Sequence, residues 1–195
     1  MAKIVFLGDS IVEYMPYIYK DKVGGEGDVV SYHGVENIGV GNFCQYCWPR
    51  VKEKEQDADI FVLLIGTNNL SRPDCDYDDR ETFDDLVMKM KEMINEVVLT
   101  GSRLIVQSVY PTKYIRRDED IRRLNTCVCD YCDSIDVEYV DMYSLLVKDN
   151  LFNDEYTDDG IHPNKNGYGL IVSHLNKYFE SGKKKLIKSE DNWWR

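Results

Sequence analysis

Ile60-Phe61-Val62-Leu63-Leu64-Ile65-Gly66 is an unbroken apolar run closed by a glycine. A strand with one wet face alternates polar and apolar residues. A short continuous run like this one reads as a strand buried on both faces, the habit of parallel sheets covered by helices. Working outward, Lys3–Leu7 is a short run rich in branched residues and reads as an earlier strand. Arg103–Val109, which stops before Pro111, and Val137–Val140 read as later ones. Val35–Ile38, ending at Gly39-Val40-Gly41, is a weaker second strand. Between the strands, Phe83, Leu86, Val87, Met90, Ile94 and Val97 recur at helical spacing, as do Tyr168, Ile171, Val172, Leu175 and Tyr178. Cys44–Lys54 and Asp120–Ser134 read as further helices. Strand alternating with helix predicts an α/β protein: a three-layer α/β/α sandwich around a five-stranded parallel sheet.

The chain has 195 residues, 43% hydrophobic and 30% charged. That suits one domain with a sizeable core and excludes intrinsic disorder, which pairs net charge with few apolar residues. No repeat or low-complexity linker divides the chain. The expected organisation is a single domain over 1–181 and a basic tail over 182–195. The tail ends in Trp193-Trp194, and its docking on a neighbouring copy would make a homo-oligomer. No run nears the roughly 20 apolar residues of a membrane span. The N-terminal apolar stretch is too short for a signal-peptide core and meets Asp9 at once, so a cytoplasmic protein is expected.

Twenty-four Lys and Arg against 35 Asp and Glu give a net charge of −11. Such a surface repels phosphate backbones, so nucleic acid is not an expected partner. The basic clusters Arg116-Arg117 with Arg122-Arg123, and Lys183-Lys184-Lys185, read as solvated faces. Cys44-Gln45-Tyr46-Cys47 and Cys129-Asp130-Tyr131-Cys132 have the spacing of metal-binding pairs. Both fall in helical segments without glycine knuckles, however, and read as buried thiols, so no metal is expected.

In open parallel sheets, ligands bind beyond the carboxyl ends of the strands. Here those ends are Gly8-Asp9-Ser10, Gly39-Val40-Gly41-Asn42, Gly66-Thr67-Asn68-Asn69 and Tyr110-Pro111-Thr112. Ser10 reads as opening a helix, with its hydroxyl on the rim. A serine attacks acyl carbon only when a base takes its proton. Of the three histidines, His33 lies before the weak second strand and His174 sits within the last helix. His162 belongs to Asp158-Asp159-Gly160-Ile161-His162-Pro163-Asn164, just before that helix. One turn folds the Asp159 carboxylate onto one ring nitrogen of His162 and leaves the other for Ser10. Asn68 offers uncharged N–H donors. With the backbone N–H of Ser10 and of Gly41 or Asn42, it forms a candidate oxyanion hole.

Gly8-Asp9-Ser10, the glycine turn Gly39–Gly41, Gly66-Thr67-Asn68 and Asp159-Gly160-Ile161-His162 resemble the four blocks of the SGNH, or GDSL, hydrolases, in order and near the expected spacings. The resemblance covers roughly Lys3 to Phe179. It implies a flavodoxin-like fold and ester or acetyl hydrolysis without a cofactor, acting on a small-molecule ester. It further implies Ser10 as nucleophile, His162 as base, Asp159 as its orienter, and Asn68 with the second-block glycine as oxyanion donors. An ungapped match puts Asn42 where many members carry the donor glycine, so Gly41 and Asn42 both stay candidates.

Two other readings stand beside this one: a catalytically idle binding module on the same fold, and a thiol or metal protein built on the C-x-x-C pairs. The complete set of reacting groups argues against the first. For the substrate, Tyr14, Tyr17, Tyr77, Tyr110 and Tyr114, with Lys113 and Arg116, are expected to wall the site. No long apolar loop signals a deep acyl channel. Short acyl groups, acetyl first, on a sugar or small alcohol are expected.

Overall fold

The computed structural model describes residues 1–70, 82–113 and 115–181; of residues 115–118 and 181 it describes the backbone alone. Five strands form one sheet: β1 (Lys3–Gly8), β2 (Val29–Gly34), β3 (Ile60–Leu64), β4 (Arg103–Gln107) and β5 (Glu138–Val140). Their order is β2-β1-β3-β4-β5, and every pairing is parallel. The helices in chain order are α1 (Ser10–Ile18), the short α2 (Val40–Asn42), α3 (Trp48–Lys54), α4 (Thr67–Leu70), α5 (Phe83–Val98), α6 (Ile115–Ser134), α7 (Tyr143–Leu146) and α8 (Lys165–Ser181). A π-helical turn, Phe43–Cys47, joins α2 to α3. The helix expected from Cys44 therefore starts earlier, and its first part is underwound.

Side chains alternate across each strand, so the sheet carries two cores. Val5, Leu7, Phe61, Leu63 and Val106 pack with Trp48 and with Met90, Ile94 and Val97 of α5. Ile4, Phe6, Val62, Leu64 and Ile105 pack on the other face with Ile11 and Val12 of α1 and Ile171, Val172 and Leu175 of α8. This is the three-layer α/β/α arrangement that the apolar runs predict.

The second strand is the one misplaced element. It runs Val29–Gly34, pairing Lys3 with Val29 and Gly8 with Gly34. Val35–Ile38, the stretch expected to be a strand, is the loop that follows, and Asn37 within it takes a left-handed φ of 58°. A further antiparallel hairpin, β6 (Val147–Lys148) with β7 (Leu151–Phe152), was not expected. The tail 182–195, Cys75, Tyr77 and Tyr114 lie outside the described residues. Among the described residues, no helix is long and apolar enough to cross a membrane.

Candidate active site

The strand order reverses direction at β1, whose neighbours are β2 and β3. Chains leaving adjacent β1 and β3 wind to opposite faces, and the crevice between their carboxyl ends is where open α/β sheets bind ligands. Gly8 closes β1 beside Leu64 of β3. A Cβ at Gly8 would lie 2.0 Å from the Leu64 carbonyl oxygen, so only glycine lets the two exits approach this closely. Asp9 and Ser10 follow one exit; Thr67 and Asn68 follow the other.

Ser10 is the first residue of α1. The N-cap is Asp9, whose side chain accepts the Ile11 N–H at 3.1 Å. Capping by the preceding residue leaves the Ser10 hydroxyl free of that task. Its Oγ lies 2.9 Å from Nε2 of His162, although 152 residues separate the two in sequence. On the other side of the ring, Nδ1 of His162 meets Oδ2 of Asp159 at 2.6 Å. A carboxylate there holds the ring proton on Nδ1, so Nε2 is the acceptor and the serine hydroxyl the donor.

The loop that carries His162 is tied down locally. Asp159 Oδ1 accepts the backbone N–H groups of Ile161 and His162, each at 2.8 Å. Partial burial pulls the Asp159 carboxyl upward; the bonds from His162 and Ile161 outweigh it and hold the carboxyl below its ordinary range. Thr157, buried beneath the loop, accepts the Gly160 N–H at 2.9 Å and donates to the His162 carbonyl at 2.8 Å. Gly160 turns with φ of +82°, and a Cβ there would press on the Lys113 side chain. Asn164 accepts the N–H groups of Asn166 and Gly167 and so caps the start of α8. The histidine thus sits on a loop anchored at both ends.

Asn68 is buried and donates one carboxamide hydrogen to the Ile38 carbonyl at 3.0 Å. The same nitrogen keeps a second hydrogen. The adjacent Asn69 accepts the Val40 N–H at 3.1 Å, and the Phe43 N–H goes to the Gly39 carbonyl. Gly41 and Asn42 lie between those two donors, in the first turn of α2, where backbone N–H groups lack intrahelical partners.

Tyr14, one of the expected wall residues, sets its ring 5.1 Å from that of His162, tilted by 50°. Tyr17 points into solvent, and Tyr110 is a core residue whose hydroxyl donates to Gln107. The other two histidines stand elsewhere. His33 lies within β2, not before it, and meets Glu55 at 2.7 Å. His174 contacts Tyr178 on α8. Cys44, Cys47, Cys127, Cys129 and Cys132 are unbridged, and burial pushes the Cys132 thiol up to about 12. Among the described residues, no three His, Cys, Asp or Glu side chains group as metal ligands. Thr157, Asn69 and the Asp9 cap are the parts of the site that the motif reading missed. Single Thr and Asn residues carry no periodic signal.

The family model of the GDSL-like Lipase/Acylhydrolase family matches residues 6–170. The chain belongs to this family. It is thereby a member of a family of carboxylic ester hydrolases, as its four sequence blocks imply. Its fold is similar to that of a GDSL-like lipase from Bacteroides thetaiotaomicron, with a TM-score of 0.74 and 21% identity over 93% of this chain and 89% of that one. It is also similar to a lipase/acylhydrolase from Enterococcus faecalis, at TM-score 0.70 and 19% identity over 95% and 99%. An acetylxylan esterase from Geobacillus stearothermophilus aligns at TM-score 0.71 and 16% identity over 91% and 94%. No curated protein matches this GDSL-like chain by sequence.

Proposed function

We propose that this chain hydrolyses short-acyl esters, acetyl first, of a carbohydrate or small alcohol, through a covalent acyl-enzyme formed on Ser10. The observation that carries the reading is the chain of contacts Ser10–His162–Asp159, at 2.9 Å and 2.6 Å. His162 Nε2 takes the hydroxyl proton as Oγ bonds to the ester carbonyl carbon, and the carbonyl electron pair moves onto oxygen. Asp159 stabilises the imidazolium that results. The oxyanion is met by the second hydrogen of Asn68 Nδ2, by the Ser10 N–H, and by the N–H of Gly41 or Asn42. His162 then returns its proton to the departing alkoxide. Water, deprotonated by the same ring, releases the acid. Every proton and charge in this sequence is handled by residues of the chain, without a cofactor.

The short acyl group and sugar-like alcohol are supported by the likeness to an acetylxylan esterase. They are also supported by the Tyr14 ring against His162, since a tyrosine face suits a sugar or small polar alcohol.

A fluorophosphonate probe followed by peptide mass spectrometry tests the nucleophile. The expected label is on Ser10, and a label on another serine of active protein overturns the reading. A panel of esters of increasing acyl length, with acetyl expected fastest, tests the substrate class.

A further inference from the structure

Asp9, the residue before the nucleophile, is completely buried. Its Oδ1 caps Ile11, but its Oδ2 has no hydrogen-bond partner among the described residues. The Thr67 hydroxyl lies close enough to favour the ionised form, yet it too is buried without a bonded partner among those residues. A helix cap does not require this: serine, threonine or asparagine serves as well without burying an acid.

The groups facing Asp9 narrow its role. Tyr110 from the β4 exit and Tyr168 from α8 both feel its charge. Both phenols have spent their hydrogens, Tyr110 on Gln107 and Tyr168 on the Ile11 carbonyl. Thr67 is neutral. That leaves His162, whose ring reaches Ser10, the residue directly after Asp9, at 2.9 Å and whose charge favours an ionised Asp9; among these neighbours it alone can become a cation.

We propose that Asp9 is a positioning residue acting through charge: a second carboxylate, besides Asp159, that stabilises the imidazolium of His162 as Ser10 gives up its proton. This rests on the triad reading above. The attraction is mutual: an anion held behind the nucleophile favours the protonated ring, and the ring becomes protonated as the tetrahedral intermediate forms. Burial strengthens the effect, because a charge in a poorly solvated site is little screened. The same burial pushes the Asp9 carboxyl up to about 6, so the anion is held at a cost to folding. Below the unfolded carboxyl value of about 3.9 both states are protonated and nothing is lost; between there and about 6 stability falls as pH rises; above that the loss is complete.

Asp9→Asn keeps a carbonyl oxygen for Ile11 and removes the charge. On an acetyl ester it should lower kcat by about ten- to a hundredfold with KM little changed, and move the acid limb of kcat/KM to lower pH. At pH 8 its Tm should exceed that of the native protein, because the cost of burying the anion is removed; kcat and the acid limb are the readouts that a merely structural role would not move. Unchanged kcat and acid limb in the folded variant overturn the proposal. Should that variant fail to fold, Asp9→Ser, which also offers an oxygen to Ile11 without the charge, decides by the same two readouts: the same fall in kcat and shift of the acid limb are expected, and native values overturn the proposal. Native protein that neither hydrolyses acetyl esters nor takes fluorophosphonate overturns the underlying triad reading instead.

Discussion

Asn68 Nδ2 donates to the carbonyl of Ile38 across 3.0 Å, tying the exit of β3 to the loop that leads into α2. The bond aims the carboxamide, so its second hydrogen has a fixed direction. Asn68→Ala removes that donor and should lower kcat by about 10²–10³-fold. Asn68→Asp should be at least as damaging near neutrality, for two reasons. A carboxylate facing a developing oxyanion repels it, and the same carboxylate confronts the Ile38 carbonyl with no hydrogen to offer. Steady-state kinetics on an acetyl ester, with circular dichroism to confirm folding, checks both. If both variants fold and keep kcat, the oxyanion donors lie elsewhere.

Thr157 is the hidden support of the histidine loop. Its hydroxyl accepts from Gly160 and donates to the His162 carbonyl. Thr157→Val matches its shape but leaves both groups unpaired, at a cost of about 1–3 kcal/mol each where they are shielded from water. A lower Tm and a lower kcat are expected together, and Thr157→Ser should recover most of both. A valine variant with native Tm and kcat would remove Thr157 from the account.

The parts legible in the sequence are those where burial leaves a pattern. Ile60–Ile65 and Lys3–Leu7 are apolar because helices cover both sides of them, and they sit where the runs place them. Val29–Gly34 is a sheet edge; Val29 is exposed and the rest only half-buried, so no apolar run forms. Val35 and Ile38 imitate a strand, but Glu36-Asn37 between them is a turn. The hairpin β6–β7 had a local signal: Asp149 and Asn150 form a two-residue loop with φ of 53° and 61°, the left-handed pair favoured in tight hairpins. At the site, the blocks carrying Ser10, Asn68 and His162 are legible because each pairs glycine with a reactive group. Thr157 and the partnership of Asn68 with Ile38 are not, since both depend on contacts made only after folding.

His174 offers a test of stability rather than activity. Burial lowers its tendency to take a proton, nearby Lys177 adds to this, and Asp141 opposes it. The unfolded chain therefore binds the proton more readily, and stability rises with pH through this range. The loss appears as pH falls below about 6.5 and levels off below the folded value. His174→Gln should flatten that part of the curve of Tm against pH while leaving kcat near native. An acid limb of stability identical in both proteins would assign the dependence to other groups.

Asp159→Asn probes orientation against charge. Asparagine still accepts from the Ile161 and His162 backbone, so the loop should keep its shape. Its carboxamide can turn an N–H toward Nδ1 of His162, which moves the ring proton to Nε2 and leaves no acceptor for the Ser10 hydroxyl. A fall in kcat of about 10⁴-fold is expected, with KM little changed, because geometry survives while the tautomer is wrong. Stability should respond with a defined sign. Hydrogen bonds from His162 and Ile161 hold the Asp159 carboxyl low against partial burial. Its contribution is therefore present above the unfolded value of about 3.9 and is lost as pH falls through the folded one. The side chain is 55% exposed, so water screens the effect and the Tm gap between native and variant protein should be small. That gap should close below about pH 4. Kinetics at neutral pH and melting curves across the acid range read the two consequences separately. Native kcat in Asp159→Asn would mean that His162 is oriented by something other than this carboxylate.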